Sequence, residues 1–280
     1  MNKKIAPILL SFLLLSQLLV FGQSADSVAV LNKEWKIIPI KKGVTWKQGH
    51  FEKLFGSQQE INLVEIDLKK HRKNIHLAAD PKELKKTSEF ATEAGALVAV
   101  NGGFFDMKNG GSWDYVKVDN HVVNTTKKKT DRANAILLID KKAIEIQPDS
   151  AVNYEQSTKP NILLSGPLLI HRGQDAVLAN NPFNTNRHPR SAVAITRKNK
   201  LIFLVVDGRN SQAAGMNLSE LTQTLRWLGA KHAMNVDGGG SSTLYVKGAT
   251  ANGVVNHPSD NKQFDHEGQR PVANIIYLKE

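Results

Sequence analysis

The sequence predicts an α+β fold: a single domain with a mixed, largely antiparallel β-sheet and a few packed helices. Many short apolar segments alternate with polar or glycine-containing turns, which is typical of strands. Only two segments, 87–95 and 217–228, have the capping residues and apolar spacing of helices. No internal repeat or linker divides the chain after its N-terminal segment, and 280 residues are enough for one large domain.

The N-terminus has the pattern of a secretory signal. Lys3 and Lys4 precede an apolar run over residues 5–21, and Gly22 suits the last position before a cleavage site. The run is short and interrupted for a spanning helix of ~20 apolar residues, which argues against a retained membrane anchor. We therefore predict export to the periplasm or the cell exterior without stable membrane insertion. The predicted boundaries are a cleaved signal peptide at 1–22, a tether at 23–34 and a folded domain at 35–280.

The net charge and the absence of cysteine limit the kinds of binding partner that the sequence predicts. The formal net charge is +11 and there is no cysteine, which excludes a disulfide scaffold and thiolate metal sites. A basic chain attracts polyanions through long-range electrostatics. The basic residues are dispersed, and the densest run, Lys127-Lys128-Lys129, has no interleaved aromatic residues. Anionic glycans or phosphodiester polymers are therefore the predicted partners, rather than nucleic acid.

The first part of the chain predicts strands joined by turns, at 35–40, 44–46, 61–68 and 75–79. The strand at 75–79 is predicted to pair with the one at 61–68. Thr87 or Ser88 is predicted to cap a short helix that ends at Gly95. Residues 96–100 are small and apolar throughout, as in a strand buried on both faces. Further predicted elements are strands at 135–140, 143–147, 162–164 and 168–170, and a surface loop at 173–188.

The last third contains the clearest elements. Residues 191–196 and 201–206 predict a β-pair that turns at Asn199. Asn217 and Glu220 have the spacing of a capping box, and a leucine stripe that ends before Gly229 completes the predicted helix. The remaining predicted strands are one that ends at Asp237, one at 243–247 and one at 273–278.

The most informative segment is 233–243, where a strand ends at Asp237 and is followed by Gly238-Gly239-Gly240-Ser241-Ser242. Consecutive glycines allow a sharp turn whose N–H groups can line an anion-binding concavity, and the serines add hydroxyl donors. An earlier strand has the same design, because it is followed by Asn101-Gly102-Gly103 and then Asp106. The alternative is a β-hairpin, since Asp-Gly between apolar runs is a strong hairpin signal.

Three acids follow a strand or a glycine turn: Asp106, Asp207 and Asp237. A carboxylate at the end of an apolar strand needs a partner or a function, so these are the predicted catalytic residues. Asp207 and Asp237 are the first pair, because a strand–helix–strand unit can bring both strand ends to one edge. Cleavage of a glycosidic bond uses two carboxylates ~5 Å or ~6.5–9.5 Å apart. Carboxylate oxygens also suit Ca²⁺ or Mg²⁺, but the spacing does not establish a metal, which stays open.

The predicted substrate-binding residues accompany these acids. Arg190 and Arg209 can each hold a phosphate through two parallel hydrogen bonds. Asn101 and Asn235 can bind sugar hydroxyls or orient the acids. The turns supply the rest of the predicted set: Gly102, Gly103, Gly238, Gly239, Gly240, Ser241 and Ser242.

Two histidines carry a weaker signal. His188 and His257 each lie in a polar loop, where a lone histidine is predicted to be a surface residue rather than an acid or base. A nucleotide loop is excluded, because Gly240 is followed by Ser241 rather than by the Lys-Ser/Thr that ends a Walker A motif.

Several motifs follow one another in a set order: Asn-Gly-Gly-Phe-Phe at 101–105, Ser-Gly-Pro at 165–167, His-Pro-Arg-Ser-Ala at 188–192, Val-Asp-Gly-Arg at 206–209, Asn-Val-Asp-Gly-Gly-Gly-Ser-Ser-Thr at 235–243 and Arg-Pro-Val-Ala-Asn at 270–274. Together they resemble the phosphodiester glycosidase family, over residues 60–280. The resemblance implies hydrolysis of a sugar-1-phosphodiester at its glycosidic bond. It places an N-acetylglucosamine-like sugar phosphate in the pocket predicted to bind an anion.

The leading hypothesis is therefore an exported hydrolase that removes a sugar from a phosphodiester in a glycan or glycoconjugate. Two alternatives stay open. A metal-dependent phosphodiesterase would cut the P–O bond and release sugar phosphate and alcohol, rather than free sugar and a phosphomonoester. A non-catalytic module for binding or assembling exopolysaccharide would bind glycan saturably without turnover.

Overall fold

A computed structural model describes residues 24–32, 35–126 and 132–280. The predicted signal peptide and the Lys127-Lys128-Lys129 run lie outside these residues. Within the segment predicted as a tether, Ala25–Asn32 forms a helix whose Val30 side chain is buried against the domain. None of the helices in the described parts of the chain is long and apolar enough to cross a membrane.

Strands dominate the described residues. In chain order they are β1 (Lys36–Lys41), β2 (Val44–Leu54), β3 (Ser57–Asp67), β4 (Ile75–Ala79), β5 (Ala96–Asn101), β6 (Val116–Val118), β7 (His121–Asn124), β8 (Ala135–Ile139), β9 (Ile144–Pro148), β10 (Asn161–Ser165), β11 (Leu168–His171), β12 (Gln174–Asp175), β13 (Arg190–Thr196), β14 (Lys200–Val206), β15 (Ala230–Asn235), β16 (Leu244–Val246) and β17 (Asn274–Lys279). The α-helices are α1 (Ala25–Asn32), α2 (Leu68–His71), α3 (Thr87–Glu93), α4 (Pro182–Thr185) and α5 (Leu218–Trp227).

The strands form three sheets, and the paired strands in each are antiparallel. The strand orders are β1-β2-β3-β14-β13-β15-β11-β12, β7-β6-β10-β8-β9 and β16-β5-β17-β4. The predicted α+β class is confirmed, with three sheets in place of one. The predicted pairing of β4 with β3 is wrong: β2 and β14 occupy the two edges of β3, and β4 pairs with β17.

One apolar core lies between the three sheets. It includes Val64 of β3, Val98 of β5 and Leu137 of β8, all fully buried. On the other face of the eight-stranded sheet, α5 packs through its leucine stripe. Its predicted capping box between Asn217 and Glu220 is confirmed by hydrogen bonds of 3.0 and 2.9 Å.

The predicted cap of α3 is wrong by one residue. The helix begins at Thr87, and its cap is Lys86. The reason is that the Glu89 carboxylate accepts a hydrogen bond of 2.9 Å from the Lys86 N–H, which satisfies the first free donor of the helix one position earlier.

The order of the eight-stranded sheet fixes where the acids lie. Strands β14 and β15 flank β13 and are both antiparallel to it, so they run parallel to each other and end at the same edge. Neighbouring strands are ~4.8 Å apart, which puts the two ends on the order of 10 Å apart. Asp207 and Asp237 follow these ends, and Arg190 begins β13 between them, as the predicted strand–helix–strand unit requires.

Candidate active site

Asp237 is half-buried at this edge and tied to the end of β5. Its N–H donates to the Gly102 carbonyl at 2.9 Å, and its own carbonyl accepts from Asn101 Nδ2 at 2.7 Å. Burial raises the pKa of the Asp237 carboxyl to about 6, against the opposing effects of Ser241, the Gly238 N–H and the charges of Arg270 and Arg132. A carboxyl with this pKa can exchange a proton near neutral pH.

Asp207 is also at the edge, but its carboxylate is enclosed. The side chain is 1% exposed. Oδ1 accepts hydrogen bonds from Asn256 Nδ2 at 2.8 Å and from the His257 N–H at 3.0 Å, and Oδ2 lies 3.0 Å from His257 Nδ1. Both oxygens of the predicted catalytic Asp207 thus hold the segment that carries His257, which favours a positioning or electrostatic role over direct proton transfer to substrate.

His257 is a functional candidate rather than the predicted surface residue. Its ring stacks on Phe264 with centroids 3.9 Å apart, and its side chain is 19% exposed. Burial lowers the pKa of the imidazole, but the hydrogen bond and charge of Asp207 outweigh burial, so the pKa lies above its ordinary value. With Nδ1 committed to Asp207, Nε2 is the nitrogen left to contact a ligand.

Two guanidinium groups are packed against the glycine turn. A side chain at Gly239 would meet Arg209 Nη2 at 3.0 Å, and one at Gly240 would meet Asp260 Oδ1 at 1.8 Å and Arg270 Nη2 at 2.6 Å. Arg209 is exposed, whereas Arg270 forms a two-point ion pair with Asp260 at 2.8 and 2.6 Å. Gly239 thus leaves room for the exposed Arg209 guanidinium, and Gly240 for the Asp260–Arg270 ion pair, so Arg209 is the group at this turn that can bind an anion.

The glycine turn itself differs from the predicted open concavity. Gly239–Ser241 is a 3₁₀ turn, in which the Gly239 N–H donates to the Pro189 carbonyl at 2.9 Å and the Ser242 N–H to the Gly239 carbonyl at 3.2 Å. These donors are already satisfied, so the side chain of Arg209 carries the positive potential. The Ser241 and Ser242 hydroxyls are buried, and neither has a well-formed hydrogen bond to a described residue.

The earlier glycine pair has a packing function, which corrects its predicted role in substrate binding. The Gly102 N–H donates to the Asn274 main-chain carbonyl at 2.9 Å, and the Gly103 N–H donates to Asn274 Oδ1 at 2.6 Å. A side chain at Gly102 would meet Asn274 Oδ1 at 2.0 Å. Residue 102 is a glycine because the side chain of β17 fills that space.

Arg190 also has a different role from the predicted one. It is 1% exposed, and its Nε and Nη2 donate to the carbonyls of Met216, Phe183 and Asn186 at 2.8, 2.6 and 2.9 Å. Burial, followed by the charge of Arg209, lowers the pKa of Arg190 to about 10. Arg190 therefore fixes the neighbouring main chain, and Arg209 is the more accessible guanidinium.

Asp106 does not act as a third acid of the site. Its Oδ1 accepts from the N–H groups of Lys108 and Asn109 at 2.8 and 3.0 Å, and its Oδ2 from Asn109 Nδ2 at 2.8 Å. These hydrogen bonds close a local turn, which is the ordinary use of an aspartate in a loop. Within the described residues, no three histidine, aspartate or glutamate side chains form a group that could hold a metal ion.

The two asparagines support the main chain. Asn101 accepts from Ser191 Oγ at 2.7 Å and holds the Asp237 carbonyl, so it orients the acid, one of its two predicted roles. Asn235 Nδ2 donates to the Gly166 carbonyl at 2.8 Å, and its buried Oδ1 has no partner among the described residues. His188 is half-buried, and its pKa is lowered by burial and then by Arg190 and Arg209.

Sequence reasoning missed four residues of this edge as site residues: Asn256, His257, Arg270 and Asn274. His257 and Arg270 each precede a proline, and Asn274 begins β17. Asn256 and His257 contact Asp207 at 49 and 50 positions away, and Asn274 contacts Gly103 at 171 positions away. Arg270 pairs with Asp260, which is only ten positions away. Spacing along the chain therefore contained no signal for them beyond the motif at 270–274.

Comparison with known proteins adds the family context. A family model described as phosphodiester glycosidase matches residues 94–279. The chain is 29% identical over 187 residues to N-acetylglucosamine-1-phosphodiester alpha-N-acetylglucosaminidase of Bos taurus, covering 62% of this chain and 35% of that protein. The Mus musculus protein of the same name is 27% identical over 204 residues, covering 68% of this chain and 39% of that protein. The chain thus spans less than two-fifths of the length of these curated relatives.

Solved structures show the same fold. The catalytic domain of the zebrafish protein of that name superposes with a TM-score of 0.67 at 19% identity, covering 87% of this chain and 84% of that chain. A hypothetical protein from Synechocystis superposes with a TM-score of 0.66 at 17% identity, covering 87% of this chain and 63% of that chain. At these identities the likeness concerns the fold alone.

Proposed function

Because the chain belongs to the phosphodiester glycosidase family, we propose that it is a hydrolase that cleaves the glycosidic bond of a sugar-1-phosphodiester, with an N-acetylglucosamine-like sugar. The family match confirms the resemblance predicted from the motifs. One observation carries the proposal: the exposed Arg209 guanidinium lies against the glycine turn beside Asp237, where a side chain at Gly239 would meet it at 3.0 Å. A phosphate bound at this turn would hold the sugar that is esterified to it next to the Asp237 carboxylate.

In the proposed reaction the bond between C1 of the sugar and the phosphate oxygen breaks, and its electron pair stays on the phosphate. A water oxygen bonds to C1, and the ionised Asp237 takes the proton that this water loses. The proton then passes to the departing phosphomonoester. Arg209 offsets the negative charge that grows on the phosphate, as a fixed charge does where charge develops in a transition state.

The Asp207–His257 pair has a supporting part in this proposal. Asn256 joins it to the glycine turn, since its Nδ2 donates both to Asp207 Oδ1 at 2.8 Å and to the Ser242 carbonyl at 3.0 Å. His257 is held by Asp207 in one orientation, and its raised pKa favours the imidazolium form that would bind a phosphate. Asp207 is then a positioning residue and His257 a phosphate-binding residue.

We further propose that the protein is exported and acts on an anionic glycan in the periplasm or outside the cell. The supporting observations are the signal pattern of residues 1–22 and the net charge of +11. A secreted fusion with and without residues 1–22 tests export, and retention of both forms in the cytoplasm would contradict it.

Hydrolysis in ¹⁸O-labelled water tests the reaction. The substrate is N-acetylglucosamine-1-phosphate esterified to a simple alcohol. Cleavage of the glycosidic bond places the label on C1 of the free sugar, whereas cleavage of a P–O bond places it on the phosphate. Label on the phosphate, together with loss of activity in a chelator, would instead establish the metal-dependent phosphodiesterase. Saturable binding without turnover would indicate a binding module.

A further inference from the structure

Two histidines lie side by side at the edge of the eight-stranded sheet that is opposite to Asp237. His171 ends β11, and His232 is near the start of the antiparallel strand β15. Their ring centroids are 5.2 Å apart, with planes at 75°. Nδ1 of each ring is buried and has no well-formed hydrogen bond to a described residue. Because buried polar atoms in native proteins are nearly always paired, these nitrogens indicate a site where a ligand supplies the partner.

The charges that act on the two rings are positive. Burial, followed by the charge of Arg172, lowers the pKa of the His171 imidazole. Burial, followed by the charges of the His171 ring and of Lys231, lowers the pKa of His232. A main-chain hydrogen bond of Ile146 opposes both shifts, so the two rings share this one weak partner. An anion beside the rings would therefore be attracted to them and would favour their charged form.

His232 lines a cleft between the eight-stranded sheet and β9, with a volume of about 250 Å³. The lining includes two cations, two amides and two apolar side chains: Arg197, Lys231, Gln147, Asn199, Ile144 and Ile195. Arg197 follows the end of β13, whereas Arg190 begins that strand beside the candidate active site. The strand has 7 residues, and at ~3.3 Å per residue the cleft lies on the order of 20 Å from that site.

Arg197 is held across the start of β15. Its N–H donates to the Gly229 carbonyl at 3.0 Å, and its Nη1 donates to the Ala230 carbonyl at 3.3 Å. A side chain at Gly173 would meet Arg197 Nη2 at 2.8 Å, so the glycine leaves room for the guanidinium. These contacts hold one end of the group and leave its other donors available.

The positive charge of the cleft is not neutralised by a neighbouring acid. Arg197 and Lys231 are both exposed, and neither forms an ion pair with a carboxylate of the described residues. Glu145 also lines the cleft, but its carboxylate lies 3.1 Å from Lys159 Nζ. The cleft is thus a concave surface with unpaired cations, which suits an oxyanion.

We propose that this cleft is a second binding site, separate from the one beside Asp237, for a phosphate or carboxylate group carried by a sugar of an anionic glycan. The cations and the two imidazoles hold the oxyanion. The volume equals on the order of eight water molecules at ~30 Å³ each, which is more than a bare oxyanion fills. The amides and the apolar side chains provide for the hydroxyls and the carbon face of an attached sugar ring. The inference goes beyond the proposed function and does not require hydrolysis.

A divalent metal ion fits these residues less well. Zinc sites use three or four protein ligands, and in residues 24–32, 35–126 and 132–280 no third histidine, aspartate or glutamate joins the pair in a group that could hold a metal. The positive charges of Arg172 and Lys231 would also repel a cation.

NMR titration of the His171 and His232 ring signals at constant ionic strength tests the proposal. The probes are glucose 6-phosphate and glucuronate, with sodium sulfate and glucose for comparison. We expect saturable shifts with both sugar acids, weaker binding of sulfate and no shift with glucose. Saturating sulfate should also raise the pKa of both rings, because a bound anion favours the imidazolium.

Two exposed lysines provide a matched pair of variants. Lys231→Gln should raise the Kd for glucose 6-phosphate at least about fivefold, because it removes a charge that lines the cleft. Lys198→Gln removes the same charge from the turn after β13, but Lys198 does not line the cleft. Its effect on Kd should stay within about twofold, since salt screens exposed charges that are not in contact with the ligand.

The ring signals report on this cleft, so the result is independent of any hydrolysis at Asp237. An inactive enzyme with the expected shifts would contradict only the proposed function, and an active enzyme without them would overturn only the second site. Equal weakening by the two lysine variants would show diffuse attraction of anions and overturn the site. So would sulfate binding as tightly as the sugar acids, or binding of Zn²⁺ by the two rings in their place.

Discussion

The carboxylate of Asp207 holds His257 at two points, through the main-chain N–H at 3.0 Å and through ring Nδ1 at 3.0 Å. Asp207 comes from the end of β14, and His257 comes from the loop that follows β16. The contact therefore fixes the position of the His257 ring and determines which ring nitrogen faces Asp207.

Asp207→Asn should lower the pKa of His257, because the negative charge that favours the imidazolium is removed. The raised pKa in the folded protein means that this pair stabilises the fold fully below the ordinary pKa of ~6.5 and less as pH rises through the folded value. The variant should lose that pH dependence and should raise KM more than it lowers kcat. NMR titration of the His257 ring measures the pKa, with His76 as an internal reference.

Asp237→Asn should reduce kcat at least about a hundredfold, which is the usual scale of a lost acid–base group. In the wild type, activity should rise with pH and inflect near the carboxyl pKa of about 6, because the ionised form accepts the proton. Asp106→Asn is the control, since that carboxylate closes a local turn. A loss of less than about tenfold in Asp237→Asn, or activity that falls with pH across this range, would remove Asp237 from the proposed role.

Gly239→Ala should weaken substrate binding as well as the fold. Gly239 has φ of +64°, and a Cβ there would lie 3.0 Å from Arg209 Nη2. Gly95 has the same φ of +64° but nothing within 4 Å of the added atom. Both alanine variants should lose about 1 kcal/mol of stability from the left-handed backbone, and only Gly239→Ala should raise KM. Equal KM values in the two variants would show that Arg209 does not bind substrate.

Asp114→Asn should stabilise the protein at neutral pH. Asp114 is 1% exposed, neither carboxylate oxygen has a partner among the described residues, and burial raises its pKa to about 6. Since the folded state keeps the proton longer than the unfolded state, wild-type stability should fall as pH rises from ~4 to ~6, by on the order of 2–3 kcal/mol. Urea unfolding at pH 4 and pH 8 should show that the free energy of unfolding of the variant no longer falls with pH in this way.

The control for that experiment is Asp106→Asn, whose expected effect on stability is opposite in direction. The hydrogen bonds of Asn109 and Lys108 lower the pKa of Asp106, so its contribution to stability is present above the ordinary pKa and is lost as pH falls. Asp106→Asn should therefore destabilise at neutral pH. A wild-type protein whose stability does not change between pH 4 and pH 6 would contradict the account of Asp114.

Local sequence patterns predicted the longer elements, because neighbouring residues specify each of them. The prediction of a surface loop at 173–188 is wrong in part, since β12 and α4 lie within it. The capping box of Asn217 and Glu220 and the turn at Asn199 are contacts over three or four positions. The strand–helix–strand unit correctly placed Asp207 and Asp237 at one edge, because chain direction in such a unit follows from its connection.

The roles of single residues within the site could not be predicted from local sequence patterns. Whether Gly102 faces a ligand or another side chain depends on Asn274, which is 172 positions away. Whether Asp207 is exposed depends on the loop around His257. Arg190 and Arg209 look equivalent in the sequence, and only packing distinguishes the buried residue from the exposed one.

The position of β17 has a consequence for the order of folding. This strand lies between β5 and β4, and its Asn274 holds both glycines that precede Phe104. During synthesis or translocation, residue 274 emerges after almost every other part of the domain. A nascent chain would then form its other sheets first, and the segment before Phe104 would settle only when this strand inserts.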